Sequence, residues 1–329
     1  MRRREFIAVL AGGAAEAWAA PLRMASAQKA SPTHIGFISG IDERGAGDFL
    51  AALRDGLSAE RYREPDTLYL DAHYADNAIE RVPTFVAELE QRRVALIVTH
   101  AAATPVVVKT PRKVPVVYEY SADPVAAGIA ADLAHPLFDA TGITLMRAEL
   151  NGRRLELLHE IMPDVHRVAV IANPLHAGEK GEQDNLETKA KDLGIDIRFF
   201  ATPNRAELDR ALDAIGVDPP QALVAFSEGF VVENREYIVN FAMSRRLPVV
   251  SGWAVMAKAG ALLTYGPRLI ETYRRTAYFV DRILKGARPA ELPIEQPTAL
   301  ELVINLQSAR TLGIIIPPTV VAGADQVIE

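Results

Sequence analysis

The chain has 329 residues, 49% of them hydrophobic and 24% charged, which is enough apolar material for a substantial core and enough length for about two domains. Its formal charge of −6 argues against a nucleic-acid partner, which would select for clustered Lys and Arg. Cysteine is absent, so disulfides, thiolate metal sites and Cys nucleophiles are excluded, and with them the two-cysteine racemases and isomerases built on a two-lobed α/β plan.

The first segment reads as an export signal. Arg2, Arg3 and Arg4 lead into the mostly apolar run Phe6 to Ala20, and Ala25-Ser26-Ala27 before Gln28 supplies small residues two positions apart. Residues 1–27 are therefore expected to be removed after Ala27. Arg3-Arg4-Glu5-Phe6-Ile7 has the look of a twin-arginine pattern, while Glu16 interrupts the apolar run, so both the twin-arginine and the general secretory route stay open. Arg2, Arg3, Arg4 and Arg23 leave with this leader against Glu5 and Glu16, which makes the mature chain more acidic still. No Cys is present to carry a lipid anchor, and no later run reaches the roughly 20 apolar residues of a membrane span. The mature product is expected to be soluble and periplasmic.

After residue 32, short β-branched apolar runs alternate with longer amphipathic stretches, the pattern of βαβ units around a parallel sheet. The first series has strands near His34 to Ile38, Thr67 to Ala72, Val94 to Thr99, Val114 to Tyr118 and Gly142 to Leu145. Helices are expected at Gly47 to Tyr62, Ile79 to Arg92 and Thr104 to Thr110. A second series begins with a helix from Glu149 to Met162 and continues with strands at Arg167 to Ala172, Asp196 to Phe200, Ala222 to Phe226 and Val249 to Ser251. Its other helices are placed near Glu182 to Leu193, Glu207 to Ile215 and Asn234 to Arg245.

Two doubly wound halves imply two lobes with a ligand cleft between them, where the loops after the strand carboxyl ends meet. The tail breaks the alternation: the helix Leu269 to Lys285 is followed by Pro289, Pro293, Pro297 and the apolar run Leu300 to Leu306. A chain that revisits each lobe explains this. Lobe one is expected to comprise 33–146 plus 265–293 and lobe two 147–264 plus 294–329, with the first return at Gly260 to Thr264. Three crossings would make a multi-strand hinge suited to rigid-body closure.

Several segments carry a family resemblance. They are RRREFI, HIGFISG, Ala122-Asp123-Pro124-Val125, Asn151 to Leu158, Ile171-Ala172-Asn173-Pro174, Leu263-Thr264-Tyr265-Gly266-Pro267 and the ending ELVINLQSARTLGIIIPPTVVAGADQVIE. In this order and spacing the chain resembles the ABC transporter substrate-binding proteins of the periplasmic binding protein type I fold, in the tryptophan-binding-protein-like branch. The resemblance implies a monomer that captures a small-molecule ligand by lobe closure and delivers it to a membrane permease of an ABC importer. It implies no catalysis and no cofactor. Two stretches depart from the family: His100-Ala101-Ala102-Ala103-Thr104, where many relatives carry glycines and another threonine, and Leu175-His176-Ala177-Gly178. Both fall where a ligand is expected.

Candidate ligand contacts follow from the strand ends. Ala102, Ala103 and Thr104 open a helix whose free N–H groups and dipole suit a carboxylate, with His100 as a further donor; the Thr104 hydroxyl serves equally as a helix cap. Ser39 and Gly40 end the first strand. Tyr118, Glu119, Tyr120 and Asp123 offer an aromatic wall with carboxylates for a cationic headgroup, unless Tyr118 is core and Asp123 only opens a turn. From the second series come Asn173, Ser227 and Glu228, and Trp253, whose ring can stack and donate. Tyr265 stands at a crossing, where hinge and ligand contact can coincide. The histidines show no metal-like spacing, and Arg153, Glu156 and Glu160 read as surface charges at helical spacing. A receptor that presents ligand to a sensor kinase or chemoreceptor without transport is the alternative.

Overall fold

The β-branched runs become parallel strands and the amphipathic stretches between them become helices. The computed structural model describes residues 32–146 and 148–329, so the export signal lies outside the described residues. The first lobe contains β1 (Thr33–Ser39), α1 (Gly47–Ala59), β2 (Leu68–Tyr74), α2 (Val82–Gln91), β3 (Ile97–His100), α3 (Thr104–Lys109) and β4 (Val116–Tyr120). A small hairpin of β5 (Ala130–Asp132) and β6 (His135–Pro136) follows, then β7 (Ala140–Thr144). Its main sheet has the order β2-β1-β3-β4-β7, parallel throughout. Such a sheet must be covered on both faces. Accordingly Phe49, Leu53 and Leu57 of α1 pack on Ile35, Phe37 and Val117, while Phe85, Val86 and Leu89 of α2 and Val107 of α3 pack with Ile38, Ile97 and Tyr118.

The second lobe contains α4 (Glu149–Ile161), β8 (Arg167–Ala172), α5 (Glu179–Leu193), β9 (Asp196–Ala201), α6 (Arg205–Val217), β10 (Ala222–Ala225), α7 (Gly229–Glu233), α8 (Arg235–Ser244), β11 (Val249–Ser251), α9 (Ala254–Lys258) and β12 (Leu263–Pro267). The chain then forms α10 (Leu269–Leu284), β13 (Leu300–Asn305), α11 (Leu306–Leu312), α12 (Pro318–Ala322) and β14 (Gln326–Ile328). The second sheet runs β14-β13-β12-β11-β10-β8-β9, and only the β12–β13 pair is antiparallel. Leu155, Leu158, Leu186 and Val320 fill one face, and Leu208, Leu212, Ile238 and Met256 the other. Burying each such side chain contributes roughly 2 kcal/mol.

The strand expected from Val114 starts at Val116 and runs to Tyr120, which takes Glu119 and Tyr120 into the sheet. The helix expected from Ile79 divides into a short 3-10 turn, Ile79–Arg81, and α2, because Pro83 fits the first turn of a helix and not its interior. Gly260 to Thr264 does not cross to the first lobe. Leu263–Pro267 is a full strand held between β11 and β13, with Tyr265 opposite Leu302, so Tyr265 belongs to the second sheet and the crossing comes after Pro267. From there α10 lies along α1, where Tyr273, Ala277 and Val280 join the first-lobe core and Arg274 reaches Asp55. The chain returns beside β7: Glu295 N–H donates to the Gly142 carbonyl at 3.0 Å and its carbonyl accepts from Thr144 N–H at 3.0 Å.

Candidate functional site

In a parallel sheet the loops after the strand carboxyl ends share one edge. Here the two carboxyl edges meet. Asp123 N–H donates to the Ala177 carbonyl at 2.9 Å, and Ser121 Oγ stands 3.4 Å from His176 Nε2, so the loop after β4 touches the loop after β8. Farther along, Trp253 from the second lobe is 7% exposed and joins the apolar cluster otherwise built from first-lobe side chains, flanked by Val232 and Val255. Glu233 at the end of α7 hydrogen-bonds with Asn77, and its carboxyl is raised by burial and by Glu228, Asp42 and Asp76. The lobes are thus closed on each other. A recess of about 360 Å³ opens beside the hinge, lined among others by Asp123, Val125, Met146, Gly178 and Gln296.

The first-lobe candidates divide. Ser39 is fully buried, its Oγ accepting from Ile41 N–H at 3.2 Å, and Gly40 packs directly on the start of the β3 loop. A Cβ at Gly40 would stand 2.7 Å from Ala103 N and 3.0 Å from Ala102 N, so only glycine allows this approach. Ala102 is exposed at the cleft edge and Ala103 is buried behind it. Thr104 does not face the cleft: it is fully buried, and its hydroxyl donates to the Glu119 carbonyl at 3.2 Å, so its one proton is used within the lobe. Asp123 opens a turn, Oδ1 accepting from Val125 N–H at 2.8 Å. Burial pushes the Tyr120 hydroxyl up to about 12, helped by the Asp123 charge.

His100 and Glu119 form a closed pair on the α1 and α10 side of the sheet. The His100 ring stacks on Phe49 with centroids 4.5 Å apart, and Tyr273 meets it edge-on at 5.9 Å. Nδ1 lies 3.4 Å from Ser39 Oγ and Nε2 lies 3.3 Å from Glu119 Oε2. Burial lowers His100 to about 3 and raises Glu119 to about 8. Both shifts favour the neutral forms, with Glu119 Oε2 facing Nε2. His100 is a core residue here, and Glu119 is turned away from any cationic headgroup in the cleft.

Ala101, in the loop after β3, adopts a left-handed conformation, φ 59°. A Cβ there costs about 1–2 kcal/mol, partly offset by the extra chain entropy of glycine. Ala101→Gly is expected to stabilise the protein by about 0.5–1 kcal/mol, read as a rise in the urea midpoint; a fall would mean that the Ala101 methyl packs usefully.

In the second lobe, Asn173 Oδ1 accepts from Leu175 N–H at 3.0 Å, and its side chain also hydrogen-bonds with Glu228. Glu228 caps α7, accepting from Phe230 N–H at 2.9 Å and Val231 N–H at 2.8 Å. Burial raises its carboxyl, opposed by His176, these two N–H groups and Asn173. Glu228 is thereby satisfied internally. Ser227 is 8% exposed, and its Oγ has no hydrogen-bond partner.

Sequence reasoning missed Arg154. Arg153 is exposed and pairs with Glu156, but Arg154 is only 3% exposed. Its Nε donates to the Tyr265 carbonyl at 2.8 Å and its Nη1 to Asn151 Oδ1, whose Nδ2 donates to Glu182. Burial lowers the guanidinium to about 10, opposed by Glu182, so it stays charged at neutral pH. A Cβ on Gly252 would overlap both Arg154 Nη2 and Ser227 Oγ, which places these two polar atoms around one point at the end of β11. A signal for Arg154 existed: it lies in the same helical stripe as Leu150, Leu157, Leu158 and Ile161, where an arginine is out of place unless it has work in the interior.

Among the described residues no group of three metal-binding side chains occurs and no helix is long and apolar enough to cross a membrane. The sequence matches the family described as ABC transporter substrate binding protein over residues 35–328. No curated protein matches it. Among solved structures it is similar to an ABC domain in complex with L-Trp from Streptococcus pneumoniae, at 22% identity and a TM-score of 0.83, covering 91% of this chain and 100% of that one. It is also similar to a conserved domain protein from Vibrio cholerae, at 24% identity and a TM-score of 0.82, covering 90% and 99%. A ligand-free, open substrate-binding protein with adhesive properties from Clostridium difficile matches at 18% identity with a TM-score of 0.70, covering 90% and 99%. At these identities the structural likeness establishes the type I periplasmic binding fold, and the sequence match over nearly the whole described chain goes further: the chain belongs to the ABC transporter substrate-binding protein family.

Proposed function

We propose that this protein is the periplasmic receptor of an ABC importer, a monomer that captures a small solute by lobe closure and presents it to a membrane permease. One observation carries the reading: loops from both carboxyl edges close on each other, with Trp253 of one lobe seated in the apolar cluster of the other. Closure of this kind removes apolar surface from water and surrounds the solute's polar groups with fixed donors and acceptors. The moving bodies are residues 33–146 with 268–293, and residues 148–267 with 294–329, joined by three strands that restrict motion to hinge bending. An amino acid or related carboxylate is the favoured solute class, in keeping with the L-Trp complex of the Streptococcus pneumoniae domain. Ser227, Asn173, Ala102, Gly40 and Trp253 supply the surfaces around it.

The test is a thermal-shift screen against amino acids, aromatic acids and sugars, followed by small-angle scattering with any stabilising compound. A receptor gives a concentration-dependent rise in Tm and a compact solution form in the presence of its solute. A protein that neither gains stability nor contracts with any of them is not a receptor for these solutes.

A further inference from the structure

Arg154 presents an unusual balance of charge. A fully desolvated guanidinium is held in place only if its donors are met and its charge compensated. Two of its nitrogens are met, by the Tyr265 carbonyl and Asn151 Oδ1. Nη2 has no acceptor among the described residues, and Arg154 forms no ion pair with any described carboxylate. Glu182 is one step removed, behind Asn151. Beside Nη2 stands Ser227 Oγ, buried and without a partner. Two donors with nothing to donate to therefore converge at the carboxyl edge of the second sheet, next to the residue that closes the cleft, Trp253.

Gly252 and Gly266 make this arrangement possible. A Cβ on Gly252 would occupy the space of both donors, and one on Gly266 would overlap the Gly252 carbonyl and come within 3.4 Å of Nη2. The backbone of two adjacent strands has thus been stripped of side chains around the guanidinium.

We propose that Arg154 Nη2 and Ser227 Oγ bind the carboxylate of the captured solute, so that the anion subsite lies in the second lobe and not at the Ala102–Thr104 turn of the first. The proposal rests on the receptor reading above and deepens it. A carboxylate supplies two acceptor oxygens, one for each donor, and one negative charge for one guanidinium. A doubly charged phosphate fits less well: the site offers a single cation, and the charge of Glu182 already acts on it. Neutral sugars leave the charge uncompensated.

The purified protein and its Arg154→Met, Arg154→Lys and Ser227→Ala variants are to be titrated calorimetrically with L-tryptophan, L-leucine, phenylacetate and benzoate. Each acid is paired with its amide, and D-ribose and D-glucose serve as uncharged probes. The wild type is expected to bind at least one acid and to reject its amide. Arg154→Met is expected to lose about 100-fold or more in affinity and Ser227→Ala about tenfold, with Arg154→Lys between them. Arg154→Met also strands the Tyr265 carbonyl and Asn151 Oδ1, so its unliganded Tm is expected to fall, and the readout is the affinity of the folded variant for acid against amide. A solute bound equally by wild type and Arg154→Met, or an acid and amide bound alike, overturns the proposal and leaves the receptor reading standing. If no probe binds the wild type, the carboxylate assignment and the receptor reading fail together for these classes.

Discussion

Trp253→Ala is expected to open the cleft. The ring is buried against first-lobe side chains although its backbone belongs to the loop after β11, so most of its contacts exist only while the lobes are closed. Truncating a buried Trp costs about 3–5 kcal/mol where the surroundings cannot collapse, and a hinged interface can partly relax, so about 3 kcal/mol against the closed state is the expected magnitude. A penalty of that size moves the lobes toward the open form and weakens apparent solute affinity by roughly 100-fold, since only the closed fraction binds fully. Small-angle scattering of the unliganded variant should show a larger radius of gyration, with Trp253→Phe close to wild type. A variant as compact as wild type and unchanged in affinity would place the ring's worth within its own lobe.

The second large effect is expected at Glu119, and it has a definite direction with pH. Its carboxyl titrates near 8 in the folded protein against 4.5 in the unfolded chain, so between those values the folded state keeps a proton that the unfolded state releases. Stability therefore falls as pH rises from about 4.5 to about 8. Glu119→Gln keeps an N–H donor for His100 Nε2 but has nothing to ionise. It should be more stable than wild type at pH 9, by on the order of 3 kcal/mol, and the gap should close as pH falls to 5. His100 acts oppositely: held near 3 in the fold against 6.5 when free, it costs stability as pH falls below 6.5. Urea midpoints of both proteins at pH 5, 7 and 9 decide the matter, and a gap independent of pH would show that Glu119 is already ionised in the fold.

The alternation of apolar runs was enough to locate the strands of both series, because strands buried on both faces read as near-continuous apolar segments such as 168–172 and Ala222–Ala225, but the carboxyl end of β4 was placed two residues short, at Tyr118 in place of Tyr120. It was not enough at the tail. β12 pairs antiparallel with β13 across the intervening α10 excursion, Tyr265 standing opposite Leu302, and no local pattern encodes that pairing. Side-chain direction was the other blind spot. Thr104 and His100 sit at strand-end positions where cleft contacts are expected, yet one turns to the Glu119 carbonyl and the other to Phe49. Arg154 shows the reverse case. The reading of surface charges on this helix took in Arg153, Glu156 and Glu160 and gave Arg154 no role, although its place in the apolar stripe of α4 marks it as interior.

The packing of α10 on α1 has a bearing on how the molecule assembles. Arg274 and Asp55 are separated by 219 positions, and the core between these two helices also needs Phe279 and Val280. The first lobe therefore cannot complete its core while its own N-terminal half is being synthesised; it has to wait for nearly the whole second lobe to emerge. High contact order of this kind slows folding, and a chain stopped before residue 269 leaves the apolar face of α1 uncovered, the sort of surface that chaperones hold and proteases remove.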